Sequence, residues 1–181
     1  RDNGVTTPFS TKRFWIFQKT KNEWLAHTLV NAWHDSSTIA VATSVPNTDI
    51  AAVIEDERAA WENGSSSAIL SLFDEQFTGY DAAQNQAPAS WSILFQDAKE
   101  LTTWLNKRLD STSYTIKRQL LFAQIGSNGA EAIALTQEDL STEYNRGPAK
   151  QNLKRQILWT LSKRTGNWKI TNMVLNFGVP N

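Results

Sequence analysis

The chain has 181 residues, 18 basic and 18 acidic side chains, and no cysteine. Balanced charge leaves no overall field to recruit nucleic acid or an acidic membrane, and the lack of cysteine excludes disulfides, thiolate catalysis and cysteine-ligated metals. The length suits one ordinary domain with an extension, and no apolar run approaches the ~20 residues of a bilayer span.

The sequence opens at Arg1 without a methionine, which leaves room for a removed signal peptide or a longer N-terminal part. Export and a cytoplasmic location both fit. Eight tryptophans are the compositional outlier. They suit a tryptophan-heavy core with several rings at its edge, because a buried indole N–H needs a partner.

Residues 1–48 read as an N-terminal extension and 49–178 as the main domain. Arg1–Ser10, with Gly4 and Pro8, reads as a leader. Arg13–Val30 (RFWIFQKTKNEWLAHTLV) matches a later stretch at a constant offset of 144: Trp15 with Trp159, Lys19 with Lys163, Trp24 with Trp168 and Val30 with Val174. Both segments place a polar turn between their paired tryptophans, as expected for a repeated hairpin. The copy would either extend the sheet or mark the end of a preceding module. The rival reading is a helix over Lys21–His34, whose apolar residues make no clean stripe. Thr38–Val45 suits a short strand or extended connector.

Asp49 is placed to cap a helix over Ile50–Asn63, with Ile50, Val53, Ile54, Ala60 and Trp61 at helical spacing. Asn63–Gly64–Ser65 ends it. A short helix over Ala68–Phe73 stops at Asp74–Glu75, and Phe77–Tyr80 follows as a short strand. Asp81–Ser90, with Pro88, is a loop, and Trp91–Phe95 is an apolar patch. A third helix, Asp97–Leu109, carries the stripe Leu101, Trp104 and Leu105. Two long strands follow, Ser113–Ile125 and Ala130–Thr142, around a Gly126–Gly129 turn. By the two-residue period Tyr114, Ile116, Arg118, Leu120 and Phe122 share one face of the first, and Ile133, Leu135 and Gln137 one face of the second. The clearest hairpin closes the chain: Gln156–Lys163 and Asn167–Phe177, rich in β-branched and aromatic residues, around Arg164–Asn167. Alone it would be marginal in water, so it needs a larger sheet or helices against it.

This order is α+β, with helices segregated to one side of antiparallel strands. Ile50–Tyr80 resembles the opening of SnoaL-like and ketosteroid-isomerase-like proteins. The shared elements are Ala60, Trp61, Asn63 and Gly64, with Glu62 inserted, then Ile69, Leu72, Phe73, Asp74 and Glu75. RQILWTLSKRTGNWKI resembles the closing strand pair of that family. The resemblance covers about Asp49–Phe177. It implies the nuclear transport factor 2-like cone, a curved antiparallel sheet wrapped around three helices and a deep pocket, often dimeric through the outer sheet face. Such folds host isomerases, dehydratases, cyclases and many non-enzymes, so the fold selects no function.

Enzymes of this kind need a pocket carboxylate, or a histidine with a carboxylate, and a donor for developing negative charge. His27 and His34 lie outside the matching region and form no metal motif; neither a metal nor a cofactor is expected. Glu138 and Asp139 have opposite facings late in a strand, so one of them points inward as the candidate base. Tyr80, Tyr114 and Arg118 interrupt apolar faces and, with Trp91 and Trp159, are the expected ligand-binding lining. Arg118 would be costly to bury without an anion or an ion pair with Glu138. Three readings follow: a domain binding a small apolar or aromatic ligand or a protein partner, and forming a homodimer; an isomerase- or dehydratase-like enzyme; or a structural dimerisation module.

Overall fold

This computed structural model describes residues 9–20, 23–35, 48–83, 91–126, 129–144 and 151–177. The chain falls into two compact units, Arg1–Thr43 and Ser44–Asn181. The expected connector at 38–45 and most of the 81–90 loop lie outside the described residues.

The first unit holds two strands, β1 (Phe9–Thr20) and β2 (Glu23–Asp35). They pair antiparallel from Thr20↔Glu23 out to Phe9↔Asp35, with one register shift between Ile16 and Phe17. The helical alternative for Lys21–His34 is thereby replaced by a strand. Cross-strand pairing satisfies the backbone groups of both strands, and a helix over this segment would have had no single apolar stripe to bury.

The second unit begins with α1 (Thr48–Glu62). Ile50, Ile54, Glu57, Ala60 and Trp61 are its buried residues, a helical stripe that contains one carboxylate. Gly64, at φ 64°, ends it in the left-handed region that glycine occupies without strain. Ser65 caps α2 (Ser66–Leu72), its Oγ accepting from Ala68 N. β3 (Phe73–Asp81) and β4 (Ser92–Phe95) precede α3 (Ala98–Leu109), whose N-cap Asp97 accepts from Glu100 N. β5 (Thr112–Ile125), β6 (Glu131–Tyr144), β7 (Gln151–Ser162) and β8 (Lys169–Leu175) complete the fold.

Six strands form one open sheet in the order β4-β3-β8-β7-β6-β5. All neighbours are antiparallel except β3 and β8, which run parallel, so the sheet is mixed. The core lies between one sheet face and the helices. It is built from Ile50, Ile54 and Trp61 of α1, Leu101 and Leu105 of α3, the Phe73–Phe77–Phe95 ring cluster, and Trp159, Leu161 and Ile170 of the closing hairpin. The closing hairpin thus has the strands and helices it requires.

Three sequence expectations change. Asp74 and Glu75 do not separate α2 from a later strand; β3 already starts at Phe73. The Trp91–Phe95 patch supplies an edge strand, β4. Phe122 does not share the face of Ile116 and Leu120, because a register shift after Leu120 puts Ala123 and Ile125 against the core instead.

Candidate functional site

The inner face of β5, β6 and β7 is arranged in rows set by their register. One row is Arg118↔Glu138↔Arg155, three charged side chains side by side on adjacent strands. Glu57 of α1 meets this row from the helical layer. Its Oε2 lies 2.7 Å from Arg118 Nη2, and its Oε1 accepts from Trp61 Nε1 at 2.6 Å. Arg118 Nε and Nη2 both donate to Glu138 Oε1, and Nη1 donates to the Ile54 carbonyl at 2.5 Å. Arg155 Nε donates to Glu138 Oε2 at 2.7 Å. Arg118, Glu57 and Glu138 are all but completely buried, and Arg155 is partly exposed.

Burial works against ionising Glu138, but two guanidinium groups and their hydrogen bonds outweigh it and hold its carboxyl below the usual range. Glu57 goes the other way. Burial, reinforced by the nearby Glu138 charge, pushes it up despite Arg118. Arg118 is held above its ordinary value: burial would lower it, and Glu57 and Glu138 together more than compensate.

Beside this row, toward the start of β5 and β7 and the end of β6, lies a cavity of about 310 Å³. That is at the lower end of the size of ligand pockets. Its aromatic wall is Trp61, Trp104, Tyr114 and Tyr144; its polar wall includes Asp81, Arg108, Thr142 and Arg155. Trp61 stands edge-on to both Trp104 (centroids 5.6 Å) and Tyr114 (5.1 Å). Arg108 lies 4.1 Å above the Trp104 ring, within cation–π range. Tyr114 Oη donates to the Arg108 carbonyl at 3.1 Å. Asp81 is engaged by Asn176 Nδ2 and Ala83 N, each at 2.9 Å. Among the described residues, Trp104 Nε1 and Thr142 Oγ1 are buried without a hydrogen-bond partner. Burial lowers Arg108 and raises Tyr114, so these two wall residues sit partly out of water.

Of the expected lining residues, Tyr114 alone faces this cavity. Arg118 is in the ionic row behind it. Trp159 is fully buried in the core, donates to Thr136 Oγ1 at 2.9 Å and lies 5.2 Å from the Arg118 guanidinium. Tyr80 and Trp91 pack against each other at 6.1 Å, with Phe177 beyond Trp91, apart from the cavity lining. Of the two candidate bases, Glu138 points inward and Asp139 lies on the exposed face, 3.8 Å from Lys154. Among the described residues no group of histidine, aspartate and glutamate could hold a metal ion.

Glu57, Trp104, Arg108 and Arg155 escape the strand-face argument. A helical signal existed for three of them: Glu57 falls on the Ile50–Ile54–Trp61 stripe, and Trp104 and Arg108 fall on the stripe of Leu101 and Leu105. Arg155 needed the β6–β7 register.

The Ser44–Asn181 unit has the nuclear transport factor 2-like fold. A ketosteroid isomerase-like protein from Erwinia carotovora atroseptica superposes at a TM-score of 0.59 with 10% identity, over 74% of this chain and 96% of that one. An NTF-2-like protein of unknown function from Shewanella oneidensis gives 0.54 with 18% identity, over 72% and 98%. A scytalone dehydratase-like protein from Novosphingobium aromaticivorans gives 0.57 with 16% identity, over 75% and 90%. No protein-family model and no curated protein matches the sequence.

Proposed function

We propose that the Ser44–Asn181 unit binds a small, flat, apolar ligand carrying a carboxylate, and does so without chemical turnover. The observation behind this reading is the cavity wall itself. Aromatic rings line it, the guanidinium groups of Arg108 and Arg155 border it, and it contains two buried polar atoms without partners. A buried N–H or hydroxyl left unpaired costs free energy that a ligand oxygen would recover. A planar guanidinium matches a carboxylate in two hydrogen bonds.

Isomerase- or dehydratase-like chemistry has less support. Of the two candidate bases Glu138 is the inward one, but it is held ionised by two arginines and each of its oxygens accepts from one of them. A general base works best with a pKa near the operating pH.

Tryptophan emission offers the test, since Trp61 and Trp104 are on the wall. Titration with 1-naphthoate should quench it saturably, at least about tenfold more tightly than with neutral 1-naphthalenemethanol. Arg108→Gln should remove that preference while leaving the fold intact. Equal affinity for the two probes, or none for either, would sink the reading.

A further inference from the structure

We infer that β1 and β2 are the closing hairpin of a second copy of this fold, one that precedes Thr48 in the polypeptide. The offset of 144 that aligns the sequences also aligns the pairing. Arg13↔Asn31, Phe14↔Val30, Trp15↔Leu29, Ile16↔Thr28, Phe17↔Ala26 and Gln18↔Leu25 each become a β7–β8 pair when 144 is added to both numbers, and together they account for every such pair. The irregularity is shared too. The register shifts between Ile16 and Phe17 in one hairpin and between Thr160 and Leu161 in the other. The residue passed over is His27 in β2 and Thr171 in β8, again 144 apart. A bulge at a matched position is much more specific than a Trp–turn–Trp pattern, because it fixes which side chains change face.

The positions equivalent to buried Trp159, Leu161, Ile170 and Met173 hold Trp15, Phe17, Ala26 and Leu29, all apolar. β7 and β8 are completed by β6 on one side and β3 on the other, whereas among the described residues β1 and β2 form a sheet of two strands. A hairpin of that kind is marginal by itself. The partner it fits is therefore a β6-like strand, a β3-like strand and a helical layer. Chain order says where that partner lies. β7–β8 is the last element of the fold, and β1–β2 is followed by α1, the first element of the next copy. End of one copy, then start of another, is the order of a tandem repeat. The same offset puts the counterpart of Thr48 about 96 residues before the numbering origin (48 less 144).

The protein isolated from the cells that make it, with an antibody against the Ser44–Asn181 unit, decides the matter by intact mass and limited subtilisin digestion. The expected polypeptide extends roughly 100 residues or more ahead of Arg1. Cleavage between residues 36 and 47 should then release one resistant fragment that begins upstream and ends with β2, and another spanning α1 to β8. An extension of fewer than about 60 residues, too short for the missing helices and strands, would overturn the inference. So would a digest in which residues 9–35 are degraded or stay with 48–177. In the same polypeptide Trp15→Ala should lower only the melting transition of the upstream fragment, by about 10 °C or more; a shift in the downstream transition instead would also refute it.

Discussion

Glu57 and Glu138 bind the same guanidinium and differ in what else they hold. Glu138 has a second arginine; among the described residues Glu57 has the Trp61 N–H besides Arg118. Removing the charge of Glu138 leaves two arginines short of a counter-ion, and Glu138→Gln should cost about 3–5 kcal/mol at pH 7 in urea unfolding. Glu57→Gln keeps an acceptor for Trp61 and leaves Arg118 paired, so its cost should stay below about 1.5 kcal/mol. The pH dependences have opposite signs. Glu138 is held below 4.5, so its contribution is complete above that value and disappears as pH falls through its folded value. Glu57 is held above 4.5, so its contribution is complete below 4.5 and is lost as pH rises through its folded value. The stability gap between wild type and Glu138→Gln should therefore close on acidification, while wild type gains relative to Glu57→Gln. Arg118 itself was legible as a charge on an apolar strand face, with Glu138 as its natural partner. For Glu57 the position on the apolar stripe competes with the general tendency of a lone helical carboxylate to face water.

At the level of elements, the pairing of β3 with β4 includes one residue without a side chain. Gly79 pairs with Phe95, and a Cβ there would come within 2.2 Å of the Phe95 ring. That ring is fully buried among Phe73, Phe77 and Trp104, so it has little room to yield. Gly79→Ala should cost about 1–3 kcal/mol, read from the urea midpoint, and Phe95→Leu in the same chain should recover part of it. The helices were legible to within a few residues because caps at Ser65 and Asp97 and apolar stripes are local signals. Strand ends and the β5 bulge were not. A strand continues as long as a neighbour pairs with it, and that neighbour lies elsewhere in the sequence. Glu62, which breaks the resemblance motif, has a role of this non-local kind: its Oε1 accepts from Ile116 N on the edge strand β5 at 2.7 Å.

For the molecule as a whole, every residue lining the cavity belongs to the Ser44–Asn181 unit. A chain starting at Ser44 should therefore keep its 1-naphthoate affinity within about twofold, measured by the same fluorescence titration; a larger loss would assign part of the site to residues 1–43. The sequence by itself determined the α+β class, the three helices and the four later strands, because periodicity, capping and turn chemistry act over a few residues. The tertiary structure decided the rest. Strand register put Glu138 between Arg118 and Arg155, helix packing brought Glu57 to the same guanidinium, and the two together filled the interior with ion pairs and moved the open space to Trp61, Trp104, Arg108 and Tyr114. Which of several inward-facing groups meets a counter-ion and which meets a cavity depends on distances between elements far apart in the chain, and local patterning carries no record of those.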